Sequence, residues 1–235
     1  MTTSEHLSKQ YDADLEGLRS HVLQMGGLVE SQIVGAINGF ATGNRELLEQ
    51  VITSEPRVNG YEVRIDGDCS QIIVRRQPAA TDLRLIMAIS KTVTDLERIG
   101  DEAEKIARMS KQIHERDRLQ VQRFGEIRHV GNIAVQMLRR ALDTFARLDA
   151  EKAAEVVRDD AAIDAEFRSI VRQLVTFMME DPRTISSALE VLWIAKAIER
   201  IGDHAKNVAE NVIYIVKGTD VRHTKFEDLE REAKS

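Results

Sequence analysis

Glu97-Arg98-Ile99-Gly100-Asp101-Glu102-Ala103 returns as Glu199-Arg200-Ile201-Gly202-Asp203-His204-Ala205, 102 positions later with six of seven residues identical. Glu97 and Asp101 are four residues apart, as are Glu199 and Asp203. On a helix each pair projects from one face and can grip a common ligand. Asp160 and Asp164 repeat this spacing upstream of the second copy, and the equivalent stretch upstream of the first offers Glu55 and Asn59. If the helices carrying them pack side by side, Glu55 and Asn59 meet Glu97 and Asp101, while Asp160 and Asp164 meet Glu199 and Asp203. Such all-oxygen sets suit hard cations, Mg²⁺, Mn²⁺ or iron, and not zinc in a sulfur cage. The competing reading is a solvated or helix-clamping role, common for acidic pairs in a chain that is 31% charged. Asn59 stands where a carboxylate is wanted, so the copy backed by Asp160 and Asp164 is the better expected site.

Gly100 and Gly202 sit inside strong helical patterns, where each costs about 0.5–1 kcal/mol relative to Ala. A close approach by a neighbouring helix or a bound ion would offset that cost in both places. Arg98 and Arg200 are placed to pair with neighbouring carboxylates or with the facing bundle. Other candidates are weaker. Glu126 and His129 have the Glu-x-x-His spacing of diiron bundles, but that chemistry needs two such motifs and further glutamates. Asp220 with His223 falls in a charged tail, and His204 replaces a glutamate of the first copy, which favours an exposed helix residue over a ligand. Trp193, Met178 and Met179 read as core or interface material. No phosphate-binding loop, nucleophile elbow, zinc-protease motif or dinucleotide fingerprint is present, so neither an enzyme nor an organic cofactor is expected.

The elements that must position these residues are helices. Apolar residues recur every three or four positions, as in Leu15, Leu18, Val22, Met25, Val29, Ile33 and Ile37. Aromatics make up 4% of the 235 residues, and Pro56, Pro78 and Pro182 are the three prolines, a balance that suits long helices. The first helix breaks at 41–44. The second spans about 45–76, kinked or interrupted near Pro56 and Gly60. The third begins after Pro78, with Thr81 or Asp82 as N-cap, and ends near His114. A charged link at 115–123 leads to helices over about 124–147, 150–180 and 184–217, stopped by Gly218. Ala36-Ile37-Asn38-Gly39-Phe40 resembles Ala141-Leu142-Asp143-Thr144-Phe145 at an offset of 105. The expected fold is therefore all-α: two tandem antiparallel three-helix bundles, residues 5–115 and 119–217, followed by a charged tail over 218–235 that frays or forms a short surface helix.

The net charge of -6, with bases interleaved among acids, argues against nucleic-acid binding. Cys69 is the lone cysteine, which excludes an internal disulfide and suits a reducing compartment. No leader and no apolar run of membrane-spanning length is read, so the expected location is the cytoplasm, with membrane association at most peripheral and through partners.

The two Glu-Arg-Ile-Gly-Asp copies, Met25-Gly26-Gly27-Leu28-Val29-Glu30 and Gln77-Pro78-Ala79-Ala80-Thr81-Asp82-Leu83-Arg84 together resemble the PhoU family, from about residue 5 to 217. The resemblance implies paired three-helix bundles, often homodimeric, that bind metal clusters through Glu97, Asp101, Glu199, Asp203, Asp160 and Asp164, with Asn59 departing from the pattern. It also implies a negative regulator of the phosphate-starvation response, an adaptor between the phosphate ABC transporter ATPase PstB and the sensor histidine kinase PhoR. A carboxylate-bridged iron-handling protein and a plain helical dimerisation module are the alternatives.

Overall fold

The computed structural model describes residues 9–116 and 125–234. All regular structure among them is helical: α1 (Lys9–Thr42), α2 (Arg45–Arg76), α3 (Ala80–Arg116), α4 (Gly125–Arg147), α5 (Ala150–Glu180), a 3₁₀ turn at Pro182–Thr184, α6 (Ile185–Lys217) and α7 (Phe226–Lys234). The expected link over 117–123 and the helix start at Phe124 lie outside the described residues.

The same local rules act in both halves. Asn44 caps α2 by accepting from the backbone N–H groups of Glu46 and Leu47, and Asp149, 105 positions on, caps α5 by accepting from Lys152 N–H. The preceding turn uses the left-handed region in each case, with Gly43 at φ 69° and Leu148 at φ 54°. Gly218, at φ 84°, ends α6 as expected.

Two local expectations are corrected, and of the two outcomes expected for the tail the helical one is found. α2 is not interrupted at Pro56: Val51 and Val58 on either side of the proline are buried and hold the helix across one lost hydrogen bond. α3 starts at Ala80, and the Ala79 carbonyl accepts its first helical bond from Leu83, so Thr81 and Asp82 fall inside the first turn. Asp82 instead accepts from the Tyr11 hydroxyl at 3.0 Å. The tail forms the short helix that is one of its two expected outcomes, and α7 packs on α5 and α6, burying Leu229 and Ala233.

α1, α2 and α3 pack on one another, as do α4, α5 and α6, and one continuous apolar core joins them through α1 against α4 and α3 against α6. The α1–α4 contact is reciprocal. Gly26 lies against Leu142 and Gly131 against Ile37, and a Cβ on either glycine would come within 2.6–2.7 Å of the facing side chain. Gly26 and Gly131 are 105 residues apart, as are Ile37 and Leu142, so the two halves meet through equivalent surfaces. α3 and α6 run antiparallel, joined by polar pairs: Arg200 with Glu102 at 2.9 Å, His204 Nδ1 with Asp95 at 2.9 Å, and Asn207 Nδ2 donating to Asp95 at 3.0 Å. His204 is thus a strut between the halves and not the exposed residue expected.

Candidate functional site

Each repeat motif lies along a groove between two helices. In the first half α2 contributes Glu55 and Asn59, and α3 contributes Glu97 and Asp101. The helices are held close by the central glycine: a Cβ on Gly100 would sit 3.2 Å from Val58 Cγ1 and 3.3 Å from Gln32 Oε1. In the second half α5 contributes Asp160 and Asp164, α6 contributes Glu199 and Asp203, and a Cβ on Gly202 would fall 2.7 Å from Ile163 Cδ1. Val58 and Ile163 are themselves 105 residues apart. Both glycines admit a facing helix, so their cost is accounted for by packing without a bound ion.

The first groove is crowded with acid. Burial raises Glu97 above the ordinary carboxylate range, and Asp101, Glu62 and Glu55 push it further, with Arg98 opposing. Burial raises Asp101 too, against Arg98 and with help from Glu104 and Glu102. Glu55 is raised by burial, then by Glu104 and Asp101, while a hydrogen bond from Asn59 holds it back. Glu62, one turn along α2, is raised by burial and by Asp66. Arg98 approaches Glu97 at 3.6 Å from an exposed position, and Arg108 holds Glu104 at 2.6 Å. No lysine enters this cluster among the described contacts.

The second groove carries its own cations. Lys206 Nζ donates to Asp160 Oδ2 at 2.9 Å and Lys196 Nζ to Glu199 Oε2 at 2.5 Å. Lys196 also lies 5.4 Å from the centre of the Phe167 ring. Asp203 is raised by burial and by Glu199 and Asp160, and both lysines pull it down. Asp164 has a looser partner in Arg168 at 3.9 Å. The structure thus gathers Asp160, Glu199 and Asp203 around two ammonium groups, and Glu55, Glu97 and Asp101 among further carboxylates. Among the described residues, no three His, Cys, Asp or Glu side chains are disposed around one point to hold a metal ion as they stand.

The sequence reading passed over Glu62 and Asp66 in the first groove and both lysines in the second. The signal was there. Glu55, Asn59, Glu62 and Asp66 follow the spacing of one helix face, and at the repeat offset of 102 Lys196 corresponds to Thr94 and Lys206 to Glu104. Of the lesser candidates, Glu126 and His129 have no described partner, and Asp220 is pulled down to about 2 by hydrogen bonding to Arg222. Trp193 is half exposed and Met179 largely so; neither belongs to the core.

These features match known proteins along nearly the whole chain. The family model described as the PhoU domain matches twice, over residues 22–110 and 127–212. A Pseudomonas aeruginosa protein named phosphate-specific transport system accessory protein PhoU homolog is 47% identical over 232 residues, covering 99% of this chain and 96% of the relative. The Escherichia coli phosphate-specific transport system accessory protein PhoU is 44% identical over 233 residues, 98% of this chain and 95% of its own length. The crystal structure of PhoU from P. aeruginosa superposes with a TM-score of 0.86 at 49% identity, covering 89% of this chain and all of that one. The phosphate transport system regulatory protein PhoU from Streptococcus pneumoniae gives 0.82 at 26% identity, covering 90% and 99%. Two family matches that fall on the two halves, each enclosing its own copy of the Glu-Arg-Ile-Gly-Asp motif, place this chain in the PhoU family.

Proposed function

We propose that this protein is a cytoplasmic accessory protein of a phosphate transport system and a negative regulator of the phosphate-starvation response, working as an adaptor and not as an enzyme. The observation that carries the reading is likeness over almost the full chain to proteins named as transport-system accessory and regulatory proteins. No helix among the described residues is long and apolar enough to cross a membrane, which fits a protein that reaches the membrane only through its partners. The partners in this reading are the transporter ATPase PstB and the kinase PhoR, whose conformational populations the adaptor shifts by binding one state of each more tightly. A homodimer is part of the same reading.

A hard divalent cation, Mg²⁺, Mn²⁺ or iron, belongs to the proposal, and the donor chemistry favours the first groove. There, mutual repulsion among Glu55, Glu62, Glu97 and Asp101 is only partly opposed by arginines, with Arg98 3.6 Å from Glu97, and an all-oxygen set is what such a cation takes. In the second groove Lys196 and Lys206 already neutralise Glu199 and Asp160. This reverses the order expected from Asn59 alone. Deleting the gene is expected to switch on phosphate-starvation genes in phosphate-rich medium, and an unchanged transcriptional response would sink the regulatory reading. A pulldown from cells in high and low phosphate, read for PstB and PhoR, tests the adaptor step.

A further inference from the structure

We propose that the α2–α3 and α5–α6 turns, at opposite ends of the molecule, are paired docking sites for a homodimeric protein, each subunit of which receives one turn. Nine large hydrophobic side chains are exposed among the described residues, and six of them form three equivalent pairs. Val74 answers to Met179 at the offset of 105 that relates α2 to α5. Leu83 answers to Ile185, and Met87 to Leu189, at the offset of 102 that relates α3 to α6. Exposure matches within each pair, at 77% and 80%, 39% and 42%, and 47% and 42%. A lone exposed apolar residue is ordinary. Here the duplication that let positions 62, 94 and 104 diverge in charge from 167, 196 and 206 kept three outward positions apolar in both halves.

Each trio gathers at one turn. Asp66 accepts from Ser90 Oγ at 2.7 Å, so α2 and α3 run antiparallel and bring Val74 and Leu83 to the same end. Thr184 Oγ1 donates to the Phe177 carbonyl at 3.2 Å, which ties the connection between Met179 and Ile185. Val175 and Trp193, whose counterparts are Ser70 and Lys91, widen the second patch. α6 runs from Ile185 at one turn to Gly218, which lies against Arg84 at the other, so the two patches are about 50 Å apart at 1.5 Å per residue.

Size and spacing select the occupant. Each trio exposes on the order of 300 Å² of apolar surface, enough to mark a contact site, yet a standard interface takes about 800 Å² from each partner. Engagement of both turns by one body approaches that figure and gains from linkage. Two like sites about the width of one subunit apart call for two like acceptors, which a homodimer supplies by its symmetry. A second copy of this chain does not fit: like ends docking on like ends would string copies into an open assembly, and pairing through one turn leaves the other bare. The inference rests on the adaptor reading and adds to it the surface and the symmetry of the partner.

A photoreactive amino acid placed at position 74 or, in a separate strain, at position 179 of the full chain tests it in cells grown with high and with low phosphate. Both positions are expected to give adducts with one protein other than this chain, in the same peptide of that protein, because its two subunits offer the same surface. Once purified, that protein is expected to sediment as a dimer. Val74→Asp combined with Met87→Asp, and Met179→Asp combined with Leu189→Asp, are each expected to weaken its binding at least about tenfold. Unchanged melting of both variants shows that the fold is retained. The proposal is overturned if the two positions reach different proteins or different peptides, if the shared protein is a monomer, or if either double variant binds as the parent does. Adducts with another copy of this chain or with lipid, or none at either position, overturn it as well. A shared dimer other than PstB or PhoR would support the docking sites and remove the partners named above; recovery of PstB or PhoR by pulldown without adducts at the turns would do the reverse.

Discussion

The two grooves are built on one plan and carry opposite charge policies. In each, a glycine lets an aliphatic side chain of the neighbouring helix approach, and a Glu and an Asp four residues apart line the gap. Position 104 holds Glu and its equivalent, position 206, holds Lys; position 94 holds Thr where 196 holds Lys; position 62 holds Glu where 167 holds Phe, over which Lys196 lies. Duplication thus preserved the packing and let the electrostatics diverge. In one groove the acids outnumber the arginines that approach them, and in the other two lysines are hydrogen-bonded to the acids from within.

The comparison can be broken at several points, and the largest expected effect is on cation binding. Mg²⁺ or Mn²⁺ added to the metal-free protein is expected to raise its unfolding free energy, read by urea titration, by about 2.7 kcal/mol at a hundredfold excess over Kd. Glu97→Gln with Asp101→Asn is expected to abolish most of that gain, while Glu199→Gln with Asp203→Asn leaves most of it. The opposite pattern would show that the lysines swing aside and that the second groove is the metal site.

Next in size is the removal of an internal cation. Lys206→Met leaves Asp160 buried without its partner and is expected to cost about 2 kcal/mol in urea unfolding, below the figure for a fully buried pair because the lysine is about one-third exposed. At the equivalent position of the first groove, Glu104→Gln is expected to be neutral or slightly stabilising. Equal losses would erase the distinction.

A smaller contrast concerns the glycines. Gly202→Ala must displace Ile163 Cδ1 and is expected to cost about 1–2 kcal/mol net of the gain in helix propensity. Gly100→Ala meets Val58 and Gln32 at longer distances and is expected to come out near zero in the same thermal melts.

The smallest effect is on pH dependence. Glu55, Glu62, Glu97 and Asp101 all titrate higher in the folded protein than in the unfolded chain, so the unfolded chain releases its protons first as pH rises, and stability falls through that window. Glu210, pushed up to about 7 by burial, adds a slope between its unfolded value of 4.5 and 7. In a Glu210→Gln background, denaturation at pH 5 and pH 8 is expected to show the larger remaining fall from the first groove. Changing its four acids to amides is expected to flatten the curve more than Asp203→Asn does.

Helix order and the pairing of grooves were readable because apolar spacing and a repeated motif are both periodic signals. Pro56 does not interrupt α2 because a propensity rule is local, whereas buried Val51 and Val58 pack against Gly35 of α1 and Gly100 of α3. The acidity of the first groove was only partly legible, because Glu62 lies one turn beyond Asn59 on the same face and its effect on Glu97 emerges only when α2 is laid against α3. The Lys206–Asp160 pair joins residues 46 positions apart, and the neighbours of Glu210 come from helices distant in sequence. Such cross-helix partners leave no periodic trace.

The reciprocal contact of Gly26 with Leu142 and Gly131 with Ile37 has a bearing on ancestry. α1 by itself carries both a glycine hollow, at Gly26, and a branched side chain, at Ile37, and α4 carries the equivalent pair, Gly131 and Leu142. A half-length forebear with those two features on its first helix would have matched a second molecule of itself across a two-fold axis, each chain supplying both knob and socket. Fusion of two such genes turns that symmetric pairing into an internal joint. Once the partners are tethered, each can change sequence independently without losing the other.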